Sequence, residues 1–391
     1  MKKDLGKSRD RSGTSAVIAL TSAEQLRERA EQWDDLWRRS DVVTPGPRAE
    51  MIALWLETVG QEGQLHALAV EYEDQLVAAL PLVLWRSGRT LRRGTMPTDD
   101  WSGCGELLWD PAVDATIALG PLVRALHDLK WSLLWWNGLP LETRRWRVFQ
   151  QWLQAAGLLA FVDPQFEIGV VDIDHDWATY QAGWSRMHRR NMKRYARRLE
   201  KEAPLELRVF SQLAPEQVEP LLHRGFAVED RSWKARSGSS VLRSDGMFAY
   251  FLRQAHQLAR WGQLELVFLE LGDRPIAFEM GWKAKGVYHS AKVGYDEDYA
   301  ASSPGQLLRY RLFERFFADP QRKEVDFMGV LTDATAKWST RSYPAGRMVV
   351  TRSGLVGRAV MGGYRHVWPQ LRSLHRRTRR QGNRVELSVP A

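Results

Sequence analysis

One short segment of this 391-residue chain combines the residue types expected at an anion site. Ser303 is a favoured N-cap residue, Pro304 is a favoured first helical residue, and Gly305 leaves the backbone uncovered. A helix that begins after a strand presents free N–H groups and the positive end of its dipole. The segment therefore predicts a site for a diphosphate, and an ordinary capped helix is the alternative. The candidate cofactor-binding residues are Ser302, Ser303, Gly305, Gln306 and Leu307.

Two titratable residues on the preceding predicted strands are candidates for proton transfer. Glu279 interrupts the apolar run 276–280, where a carboxylate should face a cleft or pair with a cation. It is the first candidate for a general base, and an exposed strand residue is the alternative. His289 is the second candidate because the unperturbed pKa of histidine suits proton transfer, and a half-buried structural histidine is its alternative. Strand alternation predicts that His289 and Lys292 face opposite sides of their strand.

A strongly basic segment precedes these strands. Residues 184–202 hold eight Lys or Arg and two Glu, and their apolar residues recur at helical spacing. Like charges four residues apart, such as Arg190 and Arg194, repel by about 0.2–0.5 kcal/mol per pair. A helix that tolerates this repulsion predicts an anionic partner: cofactor phosphates, an anionic acceptor, lipid head groups or RNA. Arg190 and Arg194 are the candidate substrate-binding residues, and a solvated basic face is the alternative.

Three further segments carry residues suited to binding an acceptor. Trp233 and Lys234 lie in the polar segment 229–240, which has the composition of a loop. Asp100 lies beside a tryptophan, where it would line a cleft between the two halves of the chain. Lys337 would stabilise developing negative charge or hold an anionic acceptor, although a lysine after a loop is more often solvated.

Composition excludes several classes of protein. The single cysteine, Cys104, rules out an intrachain disulfide framework and cysteine-rich zinc sites, and we predict no metal site. The net charge of +9 is concentrated in two places, because residues 351–391 hold nine Arg and one Glu. No stretch approaches the roughly 18 uncharged apolar residues of a membrane span, and the N-terminus lacks the apolar region of a signal peptide. We expect a cytoplasmic protein, in peripheral contact with membranes at most.

The elements that must hold these residues are predicted twice along the chain. Strands are predicted over 65–72 and 76–85 in the first half, and over 264–271, 275–283, 287–293 and 324–328 in the second, with a helix over 304–317. The residues that recur at one constant offset are Leu65, Glu71, Asp74 and Ala78 with Leu264, Glu270, Asp273 and Ala277. The pattern predicts a duplicated α+β unit, and the alternative is that unrelated hairpins look alike.

Several motifs of the second half together resemble one known family. They are residues 273–278, 294–299, 303–308, 325–329 and 337–338, preceded by the basic residues 189–194 and 197–199. Their order and spacing resemble the cellulose-biosynthesis-associated (CelD-like) acetyltransferases of the GNAT superfamily, over residues 20–345. That family is related to the Fem-type aminoacyl-tRNA transferases, which also carry two GNAT-like units.

The resemblance implies an α+β fold of two tandem GNAT-like units, each a mixed twisted sheet flanked by helices, with a basic helical C-terminal tail. The corresponding divisions are a disordered tail over 1–15, an N-terminal unit over 16–162, a cofactor-binding and catalytic unit over 163–352, and a basic amphipathic tail over 353–391.

The resemblance also implies an N-acyltransferase that uses acetyl-CoA or another acyl-CoA as co-substrate. Tyr295 ends a strand where an acid would reach the thioester sulfur. Asp326, in an Asp-Phe-x-Gly element, would orient the base or contact the acceptor. The acceptor would be an amine on a small molecule or a glycan, such as an amino sugar or a surface-polysaccharide precursor.

Two alternatives stay open from the sequence. A Fem-like transferase would take its acyl group from aminoacyl-tRNA, which the basic helix favours, although that helix is far shorter than a Fem-type arm. Nucleic acid is therefore the less favoured partner. A non-catalytic module that binds glycan or membrane is the other alternative, because no catalytic residue is unmistakable. The basic tail itself predicts peripheral contact with an anionic membrane.

Overall fold

The computed structural model describes residues 15–88, 91–99 and 101–367. The strands are β1 (Ala16–Leu20), β2 (Gln64–Tyr72), β3 (Gln75–Ser87), β4 (Leu91–Thr95), β5 (Leu108–Trp109), β6 (Leu133–Pro140), β7 (Leu158–Asp172), β8 (Leu205–Phe210), β9 (Leu264–Leu271), β10 (Arg274–Ala284), β11 (Val287–Tyr295), β12 (Glu324–Val330) and β13 (Arg341–Arg352). The α-helices are α1 (Ala23–Glu28), α2 (Ala30–Arg39), α3 (Ala49–Thr58), α4 (Ala115–Asp128), α5 (Arg144–Ala155), α6 (Trp177–Ala182), α7 (Arg186–Leu199), α8 (Pro215–Asp230), α9 (Trp233–Arg236), α10 (Met247–Arg260), α11 (Pro304–Phe317), α12 (Asp333–Ala336) and α13 (Leu355–Gly362). Short 3₁₀ helices span Val241–Arg243 and Glu297–Ser302, and a π-helical turn spans Gly363–Val367.

The strands form one mixed sheet in which the same arrangement occurs twice. Its order is β1-β2-β3-β4-β6-β13-β7-β12-β11-β10-β9-β8, and β5 pairs with β3. In the first half, the antiparallel strands β2, β3 and β4 lead to a parallel pair of β4 with β6. In the second half, β9, β10 and β11 lead to a parallel pair of β11 with β12. The predicted fold class, α+β with two similar units of mixed sheet flanked by helices, is confirmed.

The two halves exchange their last strands at the centre of the sheet. β7 ends the first half but pairs with β12 of the second half, whereas β13 ends the second half but pairs with β6 of the first. The two exchanged strands also pair with each other along their whole lengths. The boundary predicted between residues 162 and 163 therefore falls inside a central strand.

Local structure departs from the sequence analysis in several places. Strands β1, β5, β7, β8 and β13 were not predicted. The polar segment 229–240 was expected to be a loop, but it holds the end of α8 and the short helix α9, which the Ser232 hydroxyl caps. Of the two predicted tails, residues 1–14 and 368–391 lie outside the described residues.

The largest apolar core joins the two halves of the chain. It is formed by α1, α2, α3 and strands β2 and β3 from the first half with α8, α10, β9 and β10 from the second. Two further cores lie on other surfaces of the sheet, one beneath α4 and α5 and one beneath α7 and α11. Among the described residues, no helix has both the length and the apolar content that crossing a bilayer requires.

A lysine at the β10–β11 turn also links the halves. The Lys285 ammonium donates to the backbone oxygens of Trp37, Ser40 and Val42 at 2.6, 2.8 and 2.8 Å. It lies 4.6 Å from the centroid of the Trp37 ring. Because these carbonyls lie in the last turn of α2 and just after it, Lys285 fixes the start of the segment 41–44, which forms one wall of a cleft between the halves.

Candidate active site

A cleft opens between the halves where two parallel strands separate. β11 and β12 pair only over 287–289 with 324–326, and beyond His289 and Asp326 they diverge. On its other side, β11 carries a bulge: Lys292 lies opposite Met280 and Ser290 opposite Gly281, so Ala291 is an extra residue. The cleft follows this separation and has a volume of about 720 Å³. Its walls come from segments 41–44, 98–106 and 137–145 of the first half and from β7, β11, β12 and β13.

His289 and Asp326 lie side by side at the bottom of the cleft. His289 is 2% exposed, and neither of its ring nitrogens has a hydrogen-bond partner among the described residues. Burial lowers the pKa of His289 from its ordinary value, and the negative charge of Asp326 opposes that shift. Asp326 accepts hydrogen bonds from the Met328 N–H at 2.6 Å and from the Tyr343 hydroxyl at 2.8 Å. A neutral imidazole beside a fixed carboxylate can accept a proton and hold it.

Lys292 is a cleft residue that the sequence analysis did not select. Its ammonium lies 4.8 Å from the ring centroids of both Trp101 and Phe251. Burial, reinforced by the nearby charge of Lys234, lowers the pKa of Lys292 to about 8. The extra residue in the bulge breaks strict alternation, so Lys292 and His289 both line the cleft instead of facing opposite sides. Sequence periodicity could not reveal this, because nothing in the local sequence marks the bulge.

The structure does not bring Glu279 into the cleft. Its neighbours along β10, Phe278 and Met280, belong to the core shared by the two halves, so Glu279 faces the opposite side, beneath α11. The side chain is 2% exposed, and burial raises the pKa of its carboxyl, although the positive charge of Arg309 opposes this. Tyr288 packs on the same side and is fully buried.

The predicted anion-binding turn also lies outside the cleft. Ser303 adopts a left-handed conformation with φ of 45°, and its side chain does not cap α11. The Gln306 and Leu307 N–H groups both donate to the Ser303 carbonyl, at 2.9 and 3.2 Å. A Cβ on Gly305 would meet nothing closer than the Tyr295 ring, at 3.8 Å. The first-turn backbone therefore has room for a small anionic group.

The other residues of that turn have structural partners. Gln306 accepts a hydrogen bond from the Trp338 indole at 2.7 Å, whereas Ser302 and Leu307 are 3% and 0% exposed. Helix α7 packs beside α11 and beside the 3₁₀ helix that ends at Ser302. The buried side chains of this turn are therefore not available to a ligand, and the part that is open is the backbone at Gly305, beside the basic helix.

Helix α7 exposes a row of cations. The residues that line its surface groove of about 740 Å³ are Arg186, Arg189, Arg190, Lys193, Arg194, Arg197, Arg198 and Lys201. Within the described part of the chain, none of them forms an ion pair with a carboxylate, and Arg189 donates to two backbone carbonyls instead. The inner side of α7 is apolar, with His188 packed 4.6 Å from the Trp338 ring centroid. Burial lowers the pKa of His188 to about 4.

The remaining predicted acceptor residues are dispersed. Trp233 is 49% exposed on α9. Lys234 donates to Glu229 and to the Val293 carbonyl, both at 2.7 Å, so its ammonium joins α8 to β11. Lys337 is exposed near His188, outside the cleft. Asp100 lies outside the described residues, although both of its neighbours line the cleft.

Acidic side chains predominate in the cleft. The lining carboxylates are Asp41, Asp99, Glu106, Glu142, Glu324 and Asp326, and the lining cations are Arg145, Lys292 and Arg341. Arg145 is buried and bridges Asp41 and Glu106, both at 3.0 Å. This network was not predicted from the sequence, because its members are far apart in the chain. Among the described residues, no cluster of three or more His, Cys, Asp or Glu could hold a metal ion.

Comparisons with known proteins agree with this architecture. Two solved structures share the fold at low sequence identity: FemX is 11% identical with a TM-score of 0.56, covering 86% of this chain and 98% of its own. A conserved protein of unknown function from Bacteroides thetaiotaomicron is 11% identical with a TM-score of 0.54, covering 86% of this chain and 100% of its own. No curated protein matches the sequence significantly. Residues 186–337, which include α7 and the diverging strands β11 and β12, match the family described as an acetyltransferase (GNAT) domain.

Proposed function

We propose that this protein is an N-acyltransferase that moves an acyl group, most simply acetyl, from acyl-CoA to an amine. The observation that carries the proposal is the separation of β11 and β12 at His289 and Asp326, at the bottom of a cleft between the two halves. The match of residues 186–337 to a GNAT acetyltransferase domain supports the same class of reaction. Acyl-CoA supplies the acyl group already activated as a thioester.

Three cleft residues have roles in this proposal. The acceptor first loses one proton to solvent, and as the neutral amine attacks the thioester carbonyl, an imidazole nitrogen of His289 accepts its second proton. The C–S bond breaks, and the coenzyme A thiolate leaves and is protonated from solvent. Asp326 stabilises the imidazolium and is itself held by Tyr343 and the Met328 N–H. Lys292 stabilises the negative charge that develops on the acyl oxygen. Backbone groups that the bulge at Ala291 leaves out of the hydrogen bonds between strands contribute to this stabilisation.

The charge of the cleft suggests the class of acceptor. Six carboxylates and three cations line it, so an acceptor amine that arrives as an ammonium is attracted and a phosphorylated acceptor is repelled. The volume of about 720 Å³ suits a small glycan. An amino sugar or an aminated precursor of a surface polysaccharide combines these properties.

Thiol release measured with the full chain tests this proposal. With acetyl-CoA as donor, we expect glucosamine to be acetylated and glucosamine 6-phosphate, which differs only by an anionic group, to be a much poorer acceptor. The substitution His289→Gln should lower kcat by about 10²- to 10⁴-fold, the usual contribution of a general base. Absence of acetyl-CoA binding in calorimetry, or of thiol release with every amine tried, would exclude the proposal.

A second candidate donor is favoured by one observation, the row of exposed cations on α7. A surface of this length and charge suits the backbone of an aminoacyl-tRNA as well as the phosphates of coenzyme A. Aminoacyl transfer that depends on added aminoacyl-tRNA and is lost after ribonuclease treatment would favour this donor. Ribonuclease-resistant activity with acetyl-CoA would favour the first.

A further inference from the structure

Helix α13 presents an apolar face that no other described residue covers. Leu355 and Val356 are 86% and 79% exposed, and Val360 is 43% exposed. At about 100° per residue, these three side chains share one continuous arc of the helix. Met361, on the opposite side, is buried and packs on the sheet. An ordinary surface helix has polar residues on its outer face, so this arrangement requires an apolar partner.

Basic side chains border this apolar face. Arg358, Arg365 and His366 contribute to a groove of about 480 Å³ between α13, the π-helical turn and the start of β7. The guanidinium of Arg365 lies 4.4 Å from the Phe161 ring centroid, which positions it beside the groove. The chain then continues through residues 368–391, which hold six Arg and one Glu. An anionic surface complements both the groove and the sequence that follows it.

The apolar face and the cleft occupy the same side of strand β13. Tyr343 lines the cleft, and Arg347 and Val349, at alternate positions further along, face α13. Arg347 connects the two regions, because it donates to the Asn137 side chain of the cleft wall at 2.6 Å and to the Tyr364 hydroxyl at 3.2 Å. A surface that binds α13 therefore lies next to the cleft.

We propose that α13 docks on an anionic phospholipid bilayer, with Leu355, Val356 and Val360 inserted among the lipids and the surrounding arginines at the head groups. Stable association of a peripheral protein needs both apolar insertion and electrostatic attraction, and this segment supplies both. A second copy of the chain is a poorer partner, since its own arginines would meet these. The inference does not depend on the acyl-transfer chemistry, because docking is measured without substrates.

Vesicle co-sedimentation of the full chain tests the proposal. We expect binding to vesicles of equal parts phosphatidylcholine and phosphatidylglycerol, weak binding to phosphatidylcholine alone, and loss of binding as salt is raised. The substitutions L355S/V356S/V360S should weaken partitioning by about tenfold or more, because each removes apolar insertion. The control V17S/L91S replaces exposed apolar residues on β1 and β4, outside α13 and its groove, and should bind as the unaltered chain does.

Other outcomes would overturn the proposal. Failure of the unaltered chain to bind anionic vesicles would exclude the proposal. If L355S/V356S/V360S binds as well as the unaltered chain, and a chain ending at residue 367 does not bind, the anchor is the following segment and not α13. A dimer seen by light scattering that the same three substitutions abolish would show that a second copy covers the face. Circular dichroism of the variant verifies that its exposed substitutions leave the fold intact.

Discussion

His289 and Asp326 are adjacent, and the negative charge of Asp326 affects the pKa of His289. Burial lowers the pKa of His289 while Asp326 opposes the shift, so the ring is neutral at physiological pH. If neutral His289 is the base, activity falls on the acidic side, where the ring becomes protonated. Asp326→Asn removes the carboxylate charge, so the pKa of His289 decreases further. We expect the acidic limb of the kcat profile to move to lower pH and the maximal kcat to fall by about tenfold or more.

Glu279→Gln is the matched control for this pH profile. It removes a carboxylate from β10, the other neighbour of β11, but on the opposite face and outside the cleft. We expect the variant to keep both the acidic limb and the maximal rate. An unmoved limb in Asp326→Asn together with a displaced limb in Glu279→Gln would identify Glu279 as the base instead.

The sequence indicated some members of this site and could not indicate others. His289 could be selected because the ordinary pKa of histidine suits proton transfer, and Asp326 because its Asp-Phe-x-Gly element resembles one of the known family. Which side chains of β11 face the cleft was not predictable, because the bulge at Ala291 interrupts the alternation of side chains between the two faces of the sheet. Arg145 and Tyr343 could not be found, since they reach the cleft only through contacts between distant parts of the chain.

At the scale of elements, the repeated strands and α7 were predictable and the exchanged strands were not. The hairpin strands of both halves have either alternating polar and apolar residues or continuous apolar runs. Helix α7 was predicted to within a few residues of its ends. β7 contains Pro164 and several polar residues, so its sequence does not have a strand pattern over its whole length. Its extended conformation depends on its partners β12 and β13, which are more than 150 residues away.

The cations of α7 should contribute to binding a phosphorylated donor. The substitutions R190Q/R194Q remove two exposed charges beside α11, and we expect them to weaken CoA binding by about three- to tenfold at low salt. Pantetheine, which lacks the phosphates, should bind these variants unchanged in calorimetry. Stability should not fall, because the change relieves repulsion between positions four residues apart.

The control for α7 is R86Q/R93Q, which makes the same charge change at exposed positions on β3 and β4. It should leave the affinity for CoA unchanged. Equal losses for CoA and pantetheine would mean that the α7 substitutions act through the fold, and no loss for either would mean that its basic face serves another ligand.

At the scale of the whole molecule, two similar units form one folding unit. Each half gives its last strand to the other, and the largest core contains residues of both. Neither half can complete its sheet alone, because β6 needs β13 and β12 needs β7. The duplication visible in the sequence therefore does not predict two independent domains.

This architecture predicts a single cooperative unfolding transition for the whole chain, and Lys285 provides a way to test it. Lys285→Met leaves three carbonyls of the first half without their shared donor, which should cost about 1–2 kcal/mol and lower Tm by a few degrees. The control Lys283→Met, two residues earlier near the end of β10, affects only an ion pair within the second half. Scanning calorimetry should give one transition for every variant, displaced as a whole by Lys285→Met. If that substitution instead separates the endotherm into two transitions, the halves fold independently and the shared core does not couple them.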